Sequence, residues 1–296
     1  LSGGGDLTVT DGAVQAYGAL TVNSIDIQDA TTSVTLGGAV ASTTTIGINS
    51  GGTIVQNGAI TSATTVDLDA ASTIGLNAAI SGVSGTVAID ATGTTTIAAA
   101  GDISAGGAVT FGAAKAGTLT TSGDVTTTDD DVTFTNAVTL GGAVSIDTGG
   151  VAAGNILFSS TVGTAGNNLT LDAGPAGNVT LSGALSGGGD LTVTDGAVQA
   201  YGALTVNSID IQDATTSVTL GGAVASTTTI GINSGGTIVQ NGAITSATTV
   251  DLDAASTIGL NAAISGVSGT VAIDATGTTT IAAAGDISAG GAVTFG

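Results

Sequence analysis

Two 20-residue lines, AVASTTTIGINSGGTIVQNG at 39–58 and AITSATTVDLDAASTIGLNA at 59–78, can be laid one over the other. Val40 falls on Ile60, Ile46 on Val66, Ile48 on Leu68, Asn49 on Asp69, Thr53 on Thr73, Ile54 on Ile74 and Asn57 on Asn77. Inside each line the apolar residues alternate, as in Ile46/Ile48 and Val66/Leu68, which is the period of a strand that buries one face. A line of about 20 residues holding three short strands, with Gly or Asn between them, describes one coil of a β-solenoid. The expected fold is therefore all-β, a parallel β-helix with about 20 residues and three short strands per coil. Right-handed winding is expected by analogy with parallel crossovers.

The pattern extends both ways. Leu1–Gly112 recurs without a change as Leu185–Gly296, a repeat of 184 residues, so 1–184 is one unit and 185–296 is the start of another. Lines begin near Ala19, Ala39, Ala59, Ala79, Gly101, Asp124, Ala143, Thr164 and Ala184. That division predicts nine coils per unit, with eight coils and one irregular loop as the alternative. The first strand of each line carries one inward residue, such as Leu20, Val40, Ile60, Ile80, Ile103 and Val125. The second carries a pair, such as Ile25/Ile27, Val66/Leu68, Val87/Ile89, Val109/Phe111 and Leu169/Leu171. The third carries another, such as Val34/Leu36, Ile74/Leu76, Val138/Leu140 and Val179/Leu181. Between Asp124 and Gly150 the spacing tightens, and the strand of Val132/Phe134 stays open. Both ends fall inside a coil without a polar cap, so 1–296 is expected to be one continuous solenoid, an uncapped slice of a longer array.

Composition agrees with a thin, repetitive core. Gly is 50 of 296 residues and aromatics are 2%, too little bulk for an ordinary interior, while 42% apolar residues argue against disorder. All 22 acids are Asp, set against one base, Lys115, for a net charge of −21. Such a surface repels nucleic acid and anionic lipid, keeps long fibres apart in solution and attracts divalent cations. The expected partners are neighbouring units of the same array and laterally associating copies. No run of 18 apolar residues is present, so membrane insertion of this segment is not expected. The chain opens on Leu1 with no secretion signal, so the export element is expected outside it.

The Val-x-Leu pairs closed by Ser-Gly or Gly-Gly, and the phrase AGNVTLSGALSGGGDLTVTDG at 176–196, resemble the repeats of filamentous-haemagglutinin-like giant surface proteins. The likeness is one of repeat style and covers essentially the whole chain. It implies right-handed parallel β-helices serving as long extracellular stalks, used in adhesion or cell-to-cell contact. Strict identity between units and the near absence of Lys and Arg depart from that style.

Catalysis is not expected, because the chain has no His, Cys, Arg or Glu, and nothing basic stands ready to stabilise a developing anion. Lys115 occurs once per unit in the small-residue turn Ala113–Gly117 and reads as a solvated turn. No cofactor is expected apart from calcium. Asn49, Asp69 and Asp90 follow the second strand in successive coils, with Asp67 two residues from Asp69, and stacked carboxylates attract Ca²⁺. Asp129, Asp130 and Asp131 form a second candidate. The competing reading is that these Asp and Asn side chains accept turn hydrogen bonds and face water. SGGGD at Ser2–Asp6 has a nonapeptide-like look but does not recur every nine residues, and reads as a glycine turn. Thr43–Thr45, Thr64/Thr65 and Thr94–Thr96 suggest a hydroxyl ladder of the ice-binding kind, interrupted at Val87 and Gly106–Ala108, and Thr is equally an ordinary residue of an exposed strand. The function expected from these readings is a structural segment of a long extracellular fibre or adhesin stalk, with a calcium-dependent Asp-ladder surface as the alternative.

Overall fold

A computed structural model describes residues 1–62, 64–152, 154–246 and 248–296. Among them every regular element is a strand. The strands fall into three parallel sheets of 14 strands each, about 14 turns of a β-solenoid, and each strand pairs with those one coil before and after it. Two compact units divide the chain, Leu1–Val144 and Ser145–Gly296.

In the unit Leu1–Val144, the first sheet opens with Leu7–Val9, Ile25–Ala30, Thr45–Ser50 and Thr65–Ala70. The second opens with Val14–Ala16, Ser33–Leu36, Thr53–Gln56 and Ile74–Leu76. The third holds Leu20–Val22, Val40–Ser42, Ile60–Ser62 and Ile80–Val83. Register follows the sequence columns. Ile25 pairs with Ile46, Ile46 with Val66, Val66 with Val87 and Val87 with Val109. In the third sheet Leu20, Val40, Ile60, Ile80, Ile103 and Val125 form one continuous column. These side chains are buried, and each Val or Ile taken out of water contributes about 1.5–3 kcal/mol. Val132 and Phe134 belong to the first sheet, paired with Val109 and Phe111. Phe111 and Phe134 stack with ring centroids 4.9 Å apart and planes 5° from parallel. The two buried phenylalanines of the unit are thus accommodated by lying on each other.

Some columns contain polar members. Gln56 occupies the inward position between Leu36 and Leu76 and is fully buried. Its Nε2 donates to the carbonyls of Gly58 (2.7 Å) and Ala78 (2.9 Å), while its Oε1 accepts from the Ala78 amide at 3.3 Å. A glutamine fits there because all of its polar atoms find turn backbone. Outside, Asn77 Nδ2 donates to Asn57 Oδ1 at 2.9 Å, so the Asn-over-Asn alignment is a hydrogen-bonded ladder.

In the unit Ser145–Gly296, the residues that repeat the first unit keep the same columns, for example Ile230 on Val250 and Val250 on Val271, with closely matching strands, although Leu185–Ser186 is a strand where Leu1–Ser2 is not. Their sheet membership differs. Thr45–Ser50 is a strand of the first sheet, whereas its twin Thr229–Ser234 is a strand of the third. Among the described residues Leu7–Val9 is the first strand and its twin Leu191–Asp195 the twenty-seventh, so one repeat carries 26 strands there, not the 27 that nine coils demand. The shortfall lies in the line from Thr164, which has only Leu169–Asp172 and Asn178–Leu181 before Leu185. Residues 163–168, GTAGNN, offer no apolar side chain fit to anchor a strand, so Leu169/Leu171 and Val179/Leu181 each stand one sheet earlier than the line division predicts.

Candidate functional site

The outer face of the first sheet in Leu1–Val144 carries the densest chemistry. Strand alternation turns Asp26, Gly47, Asp67 and Ala88 outward in one register row, and Asn49, Asp69 and Asp90 in a parallel row. Gly47 contributes no side chain between Asp26 and Asp67. The result is a shallow open hollow of about 400 Å³ edged by Asp26, Gln28, Asn49, Asp67 and Asp69. An equivalent hollow of about 410 Å³ in the other unit is edged by Asp210, Gln212, Asn233, Asp251 and Asp253. The cavity beside Phe111, Phe134, Ile89 and Leu119 in the interior, by contrast, holds about 10 Å³, less than a ligand requires.

The structure brings Asp67, Asp69 and Asp90 onto one face, as the column alignment predicts. Two of them are answered from within the chain. The turn Ala113–Gly117 folds back over the face, where Lys115 Nζ makes an ion pair with Asp69 Oδ1 and the Ala114 amide donates to Asp90 Oδ1 at 2.9 Å. Asn136 Nδ2 donates to the Lys115 carbonyl at 2.7 Å and ties the turn to the following coil. The turn is solvated as expected, with Ala113, Ala114 and Ala116 exposed, but the Lys115 side chain is not, being only 22% exposed and lying against a carboxylate. The available signal was spacing, because residue 115 follows Asp69 by two coils. Asp26, Gln28 and Gly47 were also missed, since in the sequence they look like ordinary strand-surface residues. Asp129, Asp130 and Asp131 stand apart from this face, in the turn between Val125–Thr127 of the third sheet and Val132–Phe134 of the first. There Asp129 takes a left-handed φ of 61°, Thr127 Oγ1 donates to the Asp130 carbonyl, and the Val109 amide donates to the Asp131 carbonyl at 3.0 Å. Among the described residues no group of three or more His, Cys, Asp or Glu is placed to hold a metal ion.

Asp6, the end of SGGGD, has a different environment. Asn23 Nδ2 and Ser24 Oγ each donate to its Oδ1 at 2.7 Å, and Thr43 Oγ1 donates to Asn23 Oδ1 at 2.7 Å, a chain of side chains crossing three coils. Asp190 repeats this with Asn207 and Ser208. Ser24 and then Asn23 hold the Asp6 carboxyl below the usual carboxylate range, and Ser208 and Asn207 do the same for Asp190. Burial, followed by the charges of Asp69 and Asp90, pushes Asp67 up; burial, then Asp274 and Asp253, push Asp251 up.

The two classes of Asp act oppositely on stability. The raised pair contributes stability that is complete below the ordinary value of 3.8 and is lost as pH rises through the folded-state value. The lowered pair contributes stability that is present above 3.8 and is lost as pH falls through the folded-state value. Thermal melting is therefore expected to rise as pH falls toward the ordinary carboxyl value of 3.8 and to fall as pH drops further below it. Asp67→Asn with Asp251→Asn should flatten the rise, whereas Asp6→Asn with Asp190→Asn should flatten the fall.

Compared with family models, curated proteins and solved structures, the chain finds no match.

Proposed function

We propose that this chain is a structural segment of a long extracellular fibre or adhesin stalk, supplying reach and mechanical continuity without catalysis. The observation that carries the reading is the columnar register: each coil templates the next through backbone ladders and stacked Val, Ile and Leu, so coils add without a discrete site. Aspartates on the outside keep neighbouring fibres dispersed. Negative-stain microscopy of the native material should show thin fibres, and compact particles would refute the proposal.

The twin acidic hollows favour a second reading, in which the surface takes up calcium and bridges fibres or engages carbohydrate. Titration calorimetry and melting at millimolar Ca²⁺, with Mg²⁺ alongside, separate the two. The structural reading expects equal, small responses to both cations. A saturable heat and a melting rise specific to Ca²⁺ would establish the second.

A further inference from the structure

We propose that Lys115 Nζ and the Asp69 carboxyl condense into an intramolecular isopeptide amide that staples two coils covalently, with Asp67 carrying the proton. Three observations converge on the pair. Lys115 is the only Lys or Arg in 296 residues, and it is directed at a carboxylate with which its Nζ is in direct contact. The turn that carries it is held from both sides, by Asp90 Oδ1 on the Ala114 amide and by Asn136 Nδ2 on the Lys115 carbonyl. Although the Asp69 side chain is 35% exposed, its Oδ1 is shut off from solvent, and Lys115 Nζ is the cation that reaches it. A held pair of this kind reaches effective molarities of about 10⁵–10⁸ M, enough to offset the unfavourable condensation of free acid and amine in water.

The chemistry needs nothing from outside. Transfer of one proton within the ion pair gives neutral amine and neutral acid; the amine lone pair attacks Cγ of Asp69 and the C–O π electrons move to oxygen. Asp67, two residues along on the same face, accepts a proton from the attacking nitrogen and returns it to the departing hydroxyl. The Cγ–O bond breaks, the Cγ–Nζ amide remains, and one water leaves with no change of oxidation state. Burial and the neighbouring Asp69 and Asp90 charges make Asp67 hold its proton more readily than a free carboxyl, which suits a proton carrier.

Trypsin has a single site in this chain, after Lys115, and an acylated lysine removes it. The native protein, denatured, should weigh one water less than its sequence mass and should stay whole in trypsin. Asp69→Ala should restore the full mass and the tryptic cut; Lys115→Arg should do the same, with the cut now after the arginine. Asp67→Asn should slow cross-linking about 100-fold or more when its yield is followed after cell-free synthesis. Full sequence mass with two tryptic fragments in the native chain would overturn the proposal. So would a water loss that persists in Lys115→Arg, which would mark an aspartyl imide instead. An unchanged rate in Asp67→Asn would overturn the proton-carrier assignment.

Discussion

Ile80→Asp is expected to melt the coils on either side of residue 80 while leaving the equivalent coils at Ile264 intact. Ile80 is fully buried in the third sheet, between Ile60 and Ile103 in the column. Truncation to Ala would already cost about 2–5 kcal/mol. An aspartate adds the burial of a carboxyl whose two neighbours along the column are isoleucines and offer no hydrogen bond. Stability in a solenoid is a sum of coil terms and nearest-neighbour terms, so the loss concentrates where the two interfaces of one coil are broken. Hydrogen exchange with peptide resolution reads this directly. Amides of 60–105 should lose protection by several orders of magnitude, and those of 244–289 should keep theirs. Uniform loss in both regions would mean that the coils unfold as one cooperative block.

The second large effect is expected at Gly174, in the turn with the chain's only proline, Pro175. Gly174 has φ of +63°, and a Cβ there would overlap the carbonyl of Gly149 one coil earlier. In Gly174→Val the left-handed backbone costs about 1–2 kcal/mol. The collision with main chain, which unlike a side-chain tip has nowhere to go, adds about 1–3 kcal/mol. The variant should show a lower denaturation midpoint and early proteolysis between 149 and 177. Gly188→Val is the useful contrast, since φ there is also positive, at +83°, but nothing lies within 4 Å of its Cβ. It should lose only the backbone share. Equal losses in the two variants would show that the overlap at Gly149 is relieved at no cost.

Much of the architecture was legible because solenoid cores repeat their own chemistry. Ile46 over Val66 over Val87 is readable from spacing alone, and the register confirms it. Legibility failed where a coil is made without the usual apolar marks. Gln56 fills a leucine position because its amide meets backbone groups of two turns, a pairing visible only in three dimensions. The line from Thr164 lost a strand because residue spacing measures chain length, whereas sheet membership depends on how many corners the chain turns. At the acidic face, the stacking of Asp69 with Asp90 followed from alignment, but its countercharge did not. Lys115 reaches back across two coils, and a one-dimensional reading sees only the small residues around it.

The 26-strand repeat has an implication for how such genes lengthen. The same 112 residues, Leu1–Gly112 and Leu185–Gly296, make closely matching strands while occupying different sheets, so the three sides of the coil are interchangeable hosts for one sequence. Unequal crossing-over therefore need not deliver a whole number of turns: a duplication that gains or loses one strand still folds, provided its breakpoints leave the inward and outward alternation intact.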